Sequence, residues 1–168
     1  AFFSALGAGS MLVAKASNEH TRIPILVYIL SLTGLFGISA LYHRIQWNPE
    51  MRVWLRRLDH SGIFLLIAGT ATPLAQLALT PDRSRQLLVI IWAASALGVL
   101  QSLFWIHAPK WLTATLCVLT GWLLAPYFGE FRATLGSGSI SLILFGGALY
   151  SLGALAYALK RPTPIPGV

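Results

Sequence analysis

Six apolar runs follow one another along this 168-residue chain, at about 1–14, 23–43, 61–79, 87–106, 111–128 and 137–159. Few chains outside a membrane repeat such runs with only short polar connections between them. Five of the runs, alone or slightly extended, are long enough to cross a hydrocarbon core ~30 Å thick as helices. Helices satisfy their backbone groups internally, which an open sheet in lipid does not. A β-barrel would require alternating segments of about ten residues, and no such period appears. The expectation is an all-α integral membrane protein, one helical domain over 1–168, with six transmembrane helices. The first run, AFFSALGAGSMLVA, falls short of the ~20 residues of a spanning helix and lacks the basic start and cleavage site of a signal peptide. It reads as a truncated helix that begins before residue 1.

Composition agrees. Hydrophobic residues make up 56% of the chain and charged residues only 10%, against about 25% charged in soluble domains. Mean hydropathy is +0.71. The net charge of +7 does not point to nucleic acid, because the basic residues lie between apolar runs rather than in one stripe. That distribution suits topology and contact with anionic headgroups, so membrane lipids are the expected partners. The single cysteine, Cys117, excludes a disulfide within the chain and a cysteine-based metal knuckle.

Short connections force successive helices to run antiparallel. The connections after the first, third and fifth runs carry Lys15, Arg22, Arg83, Arg85 and Arg132. The others carry Arg44, Arg52, Arg56, Arg57, Lys110, Lys160 and Arg161. The positive-inside rule then puts the 44–60 connection, and the amino terminus with it, in the cytoplasm. Within that connection Asn48-Pro49-Glu50 reads as a capped helix start. Met51, Trp54, Leu55 and Leu58 recur at helical spacing, which predicts a short amphipathic helix on the inner membrane surface. Gly34, Gly37, Gly69, Gly146, Gly147 and Gly153 are expected at close helix contacts. Pro73 and Pro126 are expected to kink or end their helices.

Ser39 and His43 are four apart, so they stack on one helical face. Asp59 is expected at the start of the next helix, level with His43. An imidazole, a hydroxyl and a carboxylate at one end of a bundle are parts for holding a metal and a water. From spacing alone the plainer reading leads: His43 in the headgroup region and Asp59 as a helix cap. One histidine falls short of the three protein ligands of a catalytic zinc. His20 lies in the opposite connection and His107 in the HAPK turn between Trp105 and Trp111, while His60 points to another face than Asp59.

The stretches SALYH, RVWLRRLDHSGIFLLIAGTATP and GGALYSLGALAYALKRPTPIPGV resemble the hemolysin III family, the bacterial branch of the progestin and adiponectin receptor superfamily. The resemblance implies a seven-helix bundle in the bacterial plasma membrane, amino terminus inside, with zinc held by a Ser-x-x-x-His histidine and two histidines of helix 7. On this chain it assigns His43 as metal ligand, Asp59 as partner of the zinc-bound water, and Ser39 as a hydrogen-bonding or oxyanion-stabilising group. No His-x-x-x-His occurs up to Val168, so the other two ligands are expected beyond it and this stretch alone should bind zinc weakly or not at all. The wider group suggests a zinc-dependent lipid amide hydrolase taking its substrate from the bilayer. The alternatives are a receptor or sensor with structural zinc, and a pore-forming cytolysin; no helix carries the full-length polar stripe that a pore requires.

Overall fold

The structure is a computed structural model, describing residues 2–16, 18–105 and 107–159. These residues form six α-helices and no strand: α1 (Phe2–Lys15), α2 (Glu19–Arg44), α3 (Pro49–Ala78), α4 (Pro81–Phe104), α5 (Lys110–Trp122) and α6 (Phe128–Ala158). Lys160 and Arg161, which entered the charge comparison, lie outside the described residues. Four stretches are long and apolar enough to cross a membrane: Glu19–Arg44, Pro49–Ala78, Pro81–Phe104 and Lys110–Ala158 taken as one. The all-helical class therefore stands, whereas six separate crossings do not follow from helix length. At 1.5 Å per residue, α5 with its 13 residues is about 20 Å long, short of the ~30 Å core.

The expected surface helix in the 44–60 connection is instead the opening of α3. Its start is as the sequence suggests: the Asn48 side chain accepts a hydrogen bond from the Met51 backbone N–H at 2.8 Å, with Pro49 in the first helical position. Nothing between Glu50 and Ser61 breaks a helix, so the amphipathic turns run straight into the apolar run. Asp59 is consequently three turns inside α3 and caps nothing. Pro73 lies within α3 without ending it, whereas Pro126 sits in the 3-10 turn Ala125–Tyr127 that follows α5. Gly136 has φ +82°, a conformation glycine adopts at no steric cost. It breaks α6, and the apolar run expected from residue 137 begins immediately after it.

Helix α3 packs between α2 and α4, and absent side chains set both distances. A Cβ on Gly62 would lie 3.6 Å from Leu35 Cβ, and one on Gly69 would lie 2.7 Å from Ser31 Cβ. On the other side, a Cβ on Gly98 of α4 would lie 2.6 Å from Cγ of Phe64, which is fully buried. Among the described residues, Gly34, Gly146 and Gly153 have nothing within 4 Å of such an atom, so the packing role expected of them is not seen there. Gly9 on α1 meets Ile29 of α2. A buried apolar cluster of Ala75, Ala78, Leu87, Tyr127, Phe131 and Ile140 joins the end of α3 to the starts of α4 and α6. At this end, called the Arg83 end below, Thr134 Oγ1 donates to the Ala78 carbonyl at 3.0 Å and Arg83 bonds Glu130 at 2.8 Å. The Glu130 carboxylate raises the Arg83 pKa above its ordinary value through that hydrogen bond, so the guanidinium stays charged.

The contacts of Gly62 with Leu35 and of Gly69 with Ser31 fix the antiparallel register of α2 and α3. Oxidation of the Leu35→Cys/Gly62→Cys pair in a Cys117→Ser background should give a disulfide, since 3.6 Å is within the usual Cβ–Cβ range of ~3.5–4.5 Å. His43→Cys/Asp59→Cys should give none; the reverse result on denaturing gels would mean a register slipped by a turn. Gly98→Ala should destabilise the detergent-solubilised protein by roughly 1–3 kcal/mol, as overpacking does. Adding Phe64→Leu should cost less than the sum of the single changes. Gly146→Ala should stay within about 0.5 kcal/mol, which thermal unfolding will read.

Candidate functional site

Ser31, Leu35, Ser39 and His43 form one i, i+4 row on α2, and the first two touch α3. Extending the register from Gly62–Leu35 sets Asp59 level with Ser39, and sets His43 level with Trp54 and Leu55. His43 and Asp59 were expected at the same level. On that extended register they would be one turn apart, about 6 Å along the axis, since α3 starts ten residues before Asp59 rather than at it. The hydroxyl and the carboxylate would then be the pair at one depth. Both residues are half-buried and His43 is exposed. The His43 ring lies edge-on to that of Tyr42, centroids 4.7 Å apart, and the turn beyond it is closed by Trp47 Nε1 donating to the Leu41 carbonyl at 2.8 Å.

Among the described residues no three of the histidines, cysteine and acids come together to hold a metal ion. His60 is engaged at both ring nitrogens. Its Nδ1 faces the Arg56 carbonyl at 2.8 Å and so carries the proton, which leaves Nε2 to accept from the Tyr157 hydroxyl at 3.2 Å. His20 lies at the Arg83 end, His107 is exposed between α4 and α5, and Cys117 is buried in α5. The described residues therefore assemble no three-ligand set around His43.

Sequence reasoning missed a second polar cluster on the face of α3 turned away from α2. His60 and Arg57 project there, toward α4, α5 and α6, into a cleft of about 310 Å³. Arg57 also stacks on Trp54, its Cζ 4.7 Å from the ring centre. The signal was present in RRLDH: residues 56, 57 and 60 share a face that 59 does not. Tyr157 is 97 residues away from His60, and no local pattern joins them.

The described fold is thus helical and apolar, with Arg57 Nε and Ser102 Oγ left without a partner at the end that carries His43, and Ser95 Oγ and the Tyr150 hydroxyl further inside the helices. The family model for haemolysin-III related proteins matches residues 1–167. Hemolysin-3 of Bacillus cereus is 34% identical over 156 residues, covering 90% of this chain and 70% of the relative. A Hemolysin-3 homolog of Bacillus subtilis (strain 168) is 31% identical over 135 residues, covering 80% of this chain and 63% of the relative. No solved structure matches the chain. Matched over nearly its whole length in the order of its helices, the chain belongs to the haemolysin III-related family.

Proposed function

We propose that this protein is a single-domain, multi-pass bacterial plasma-membrane protein of hemolysin III type, with six crossings along this chain and its amino terminus in the cytoplasm. In this reading Ser39, His43 and Asp59 belong to its reactive site, at the cytoplasmic headgroup level. What supports it is the glycine-packed contact of Gly62 with Leu35, whose register, carried one turn outward, would bring Ser39 and Asp59 to one depth. A half-buried carboxylate on a helix facing a hydroxyl on its neighbour could take a proton from a nucleophile while the hydroxyl donates to a developing oxyanion. The substrate class suggested by the family resemblance is a lipid amide, drawn sideways from the bilayer. His43 is one zinc ligand in this proposal. No catalytic step is routed through the metal, because the described residues do not complete its coordination.

Zinc content and ceramide turnover should be measured on the protein expressed from its full reading frame, beside Asp59→Ala and His43→Ala. Asp59→Ala should keep its metal and lose turnover by roughly 10²–10⁴-fold, as general-base removal does. His43→Ala should lose the metal. Turnover unchanged in Asp59→Ala would sink the hydrolase reading. Metal retained without turnover in the wild type would favour a receptor or sensor. The relatives' name favours a lytic activity, so erythrocyte lysis belongs in the same series; lysis that survives both substitutions would separate it from this site. For orientation, Gln46→Cys should label with a membrane-impermeant thiol reagent only after cell lysis, and Arg132→Cys in intact spheroplasts.

A further inference from the structure

The cleft behind α3 has the composition of an anion site. Arg56 and Arg57 enter it from α3 and Lys110 from the start of α5, so among the described residues three cations line it and no carboxylate does. Lys110 is held at its edge, its Nζ 5.2 Å from the centre of the Tyr157 ring. The first turn of α5 opens here without a side-chain cap and without an acidic residue, so its partial positive charge is uncompensated.

Two buried polar atoms point to a missing partner. Arg57 Nε and Ser102 Oγ are sealed from solvent and have no hydrogen bond, although Ser102 is only 5% exposed and lines the cleft. Buried donors in a folded protein are nearly always satisfied. Ser61, Thr72 and Thr120 donate to carbonyls of their own helices, whereas Ser95 Oγ and the Tyr150 hydroxyl, further inside the helices, also lack a partner; Arg57 Nε and Ser102 Oγ are the two whose residues line this cleft. An oxyanion with several acceptor lone pairs satisfies a guanidinium, an ammonium and a hydroxyl at once. A carboxylate offers two oxygens, whereas a tetrahedral phosphate can meet donors arriving from α3, α4 and α5.

We infer that this cleft is a phosphate-binding site, distinct from the Ser39–Asp59 pair and independent of the activity proposed for it. Trp105 in its lining lies next to the α4–α5 turn, as an interfacial aromatic does, so the phosphate of an anionic lipid headgroup and free phosphate both have access.

The test uses the full-length protein in detergent and in nanodiscs. Retained phosphatidylglycerol is counted by native mass spectrometry, and stabilisation by phosphatidylglycerol, phosphatidylcholine or inorganic phosphate is read by thermal shift. Lys110→Gln should weaken phosphatidylglycerol binding roughly tenfold, the effect of losing one charge-assisted contact. Arg85→Gln, at the opposite end, removes the same charge and should change nothing. Ser102→Ala should leave the phosphate-free protein as stable or more so, because it removes an unsatisfied hydroxyl, and yet weaken binding. Arg57→Gln is informative where it folds; Lys110 is exposed and carries the test where it does not. Competition by inorganic phosphate at the same variants would identify free phosphate as the ligand, and its failure to compete would identify the headgroup. Equal losses in Arg85→Gln and Lys110→Gln, or no selective binding of either phosphate source, would overturn the site.

Discussion

Helix α3 is held by what its neighbours and its own face lack. Gly62 and Gly69 let α2 lie against its backbone, and Gly98 of α4 leaves room for the Phe64 ring. In lipid the hydrophobic effect does not drive helices together, so van der Waals contact at small residues carries the association. A side chain at any of these positions would push a neighbour outward. It would also loosen the register that sets Ser39 and Asp59 at one depth. The candidate chemistry thus rests on three positions that carry no functional group.

The two ends of the helices solve their polar problem differently. At the Arg83 end the last carbonyl of α3 accepts from Thr134, and Arg83 is shared between Glu130 and the face of Tyr127. An apolar cluster lies beneath, and a cleft of about 430 Å³ lined by His20, Gln76 and Arg85 opens beside it. At the other end Arg57 Nε and Ser102 Oγ have no partner, and the start of α5 is uncapped. Satisfied groups stabilise a terminus, whereas unsatisfied ones make it a place for ligands.

Much of the secondary structure was legible in the sequence. The apolar runs correspond to the helices, Asn48-Pro49 caps α3, and the break at Gly136 falls where the last run begins. The continuity of α3 was not legible. An amphipathic surface helix and the opening turns of a long helix have the same 3.6-residue period, and only a breaker would have separated them. The one-turn offset of His43 from Asp59 that the extended register implies has its origin in that junction. Which glycines pack was equally hidden. Gly34 and Gly98 look alike in sequence, yet only Gly98 faces a large ring, and facing is a property of the pair of helices. Tertiary partners such as His60 and Tyr157 leave no local trace.

The dipeptide Asp59-His60 concentrates the argument. Consecutive residues on a helix diverge by about 100°, so one of them can serve α2 while the other serves α4, α5 and α6. Asp59 lies on the side of Gly62, and His60 reaches Tyr157 of α6. Rotating α3 to exchange these roles would drive Phe64 out of the space left by Gly98 and set side chains where Gly62 and Gly69 admit α2. The packing therefore forbids the exchange, and the two polar clusters stay on opposite faces of one rigid helix. A phosphate bound behind α3 would meet Arg57 and Lys110 without approaching Ser39. Whatever reacts beside Asp59 does so on a wall whose far side can be occupied independently.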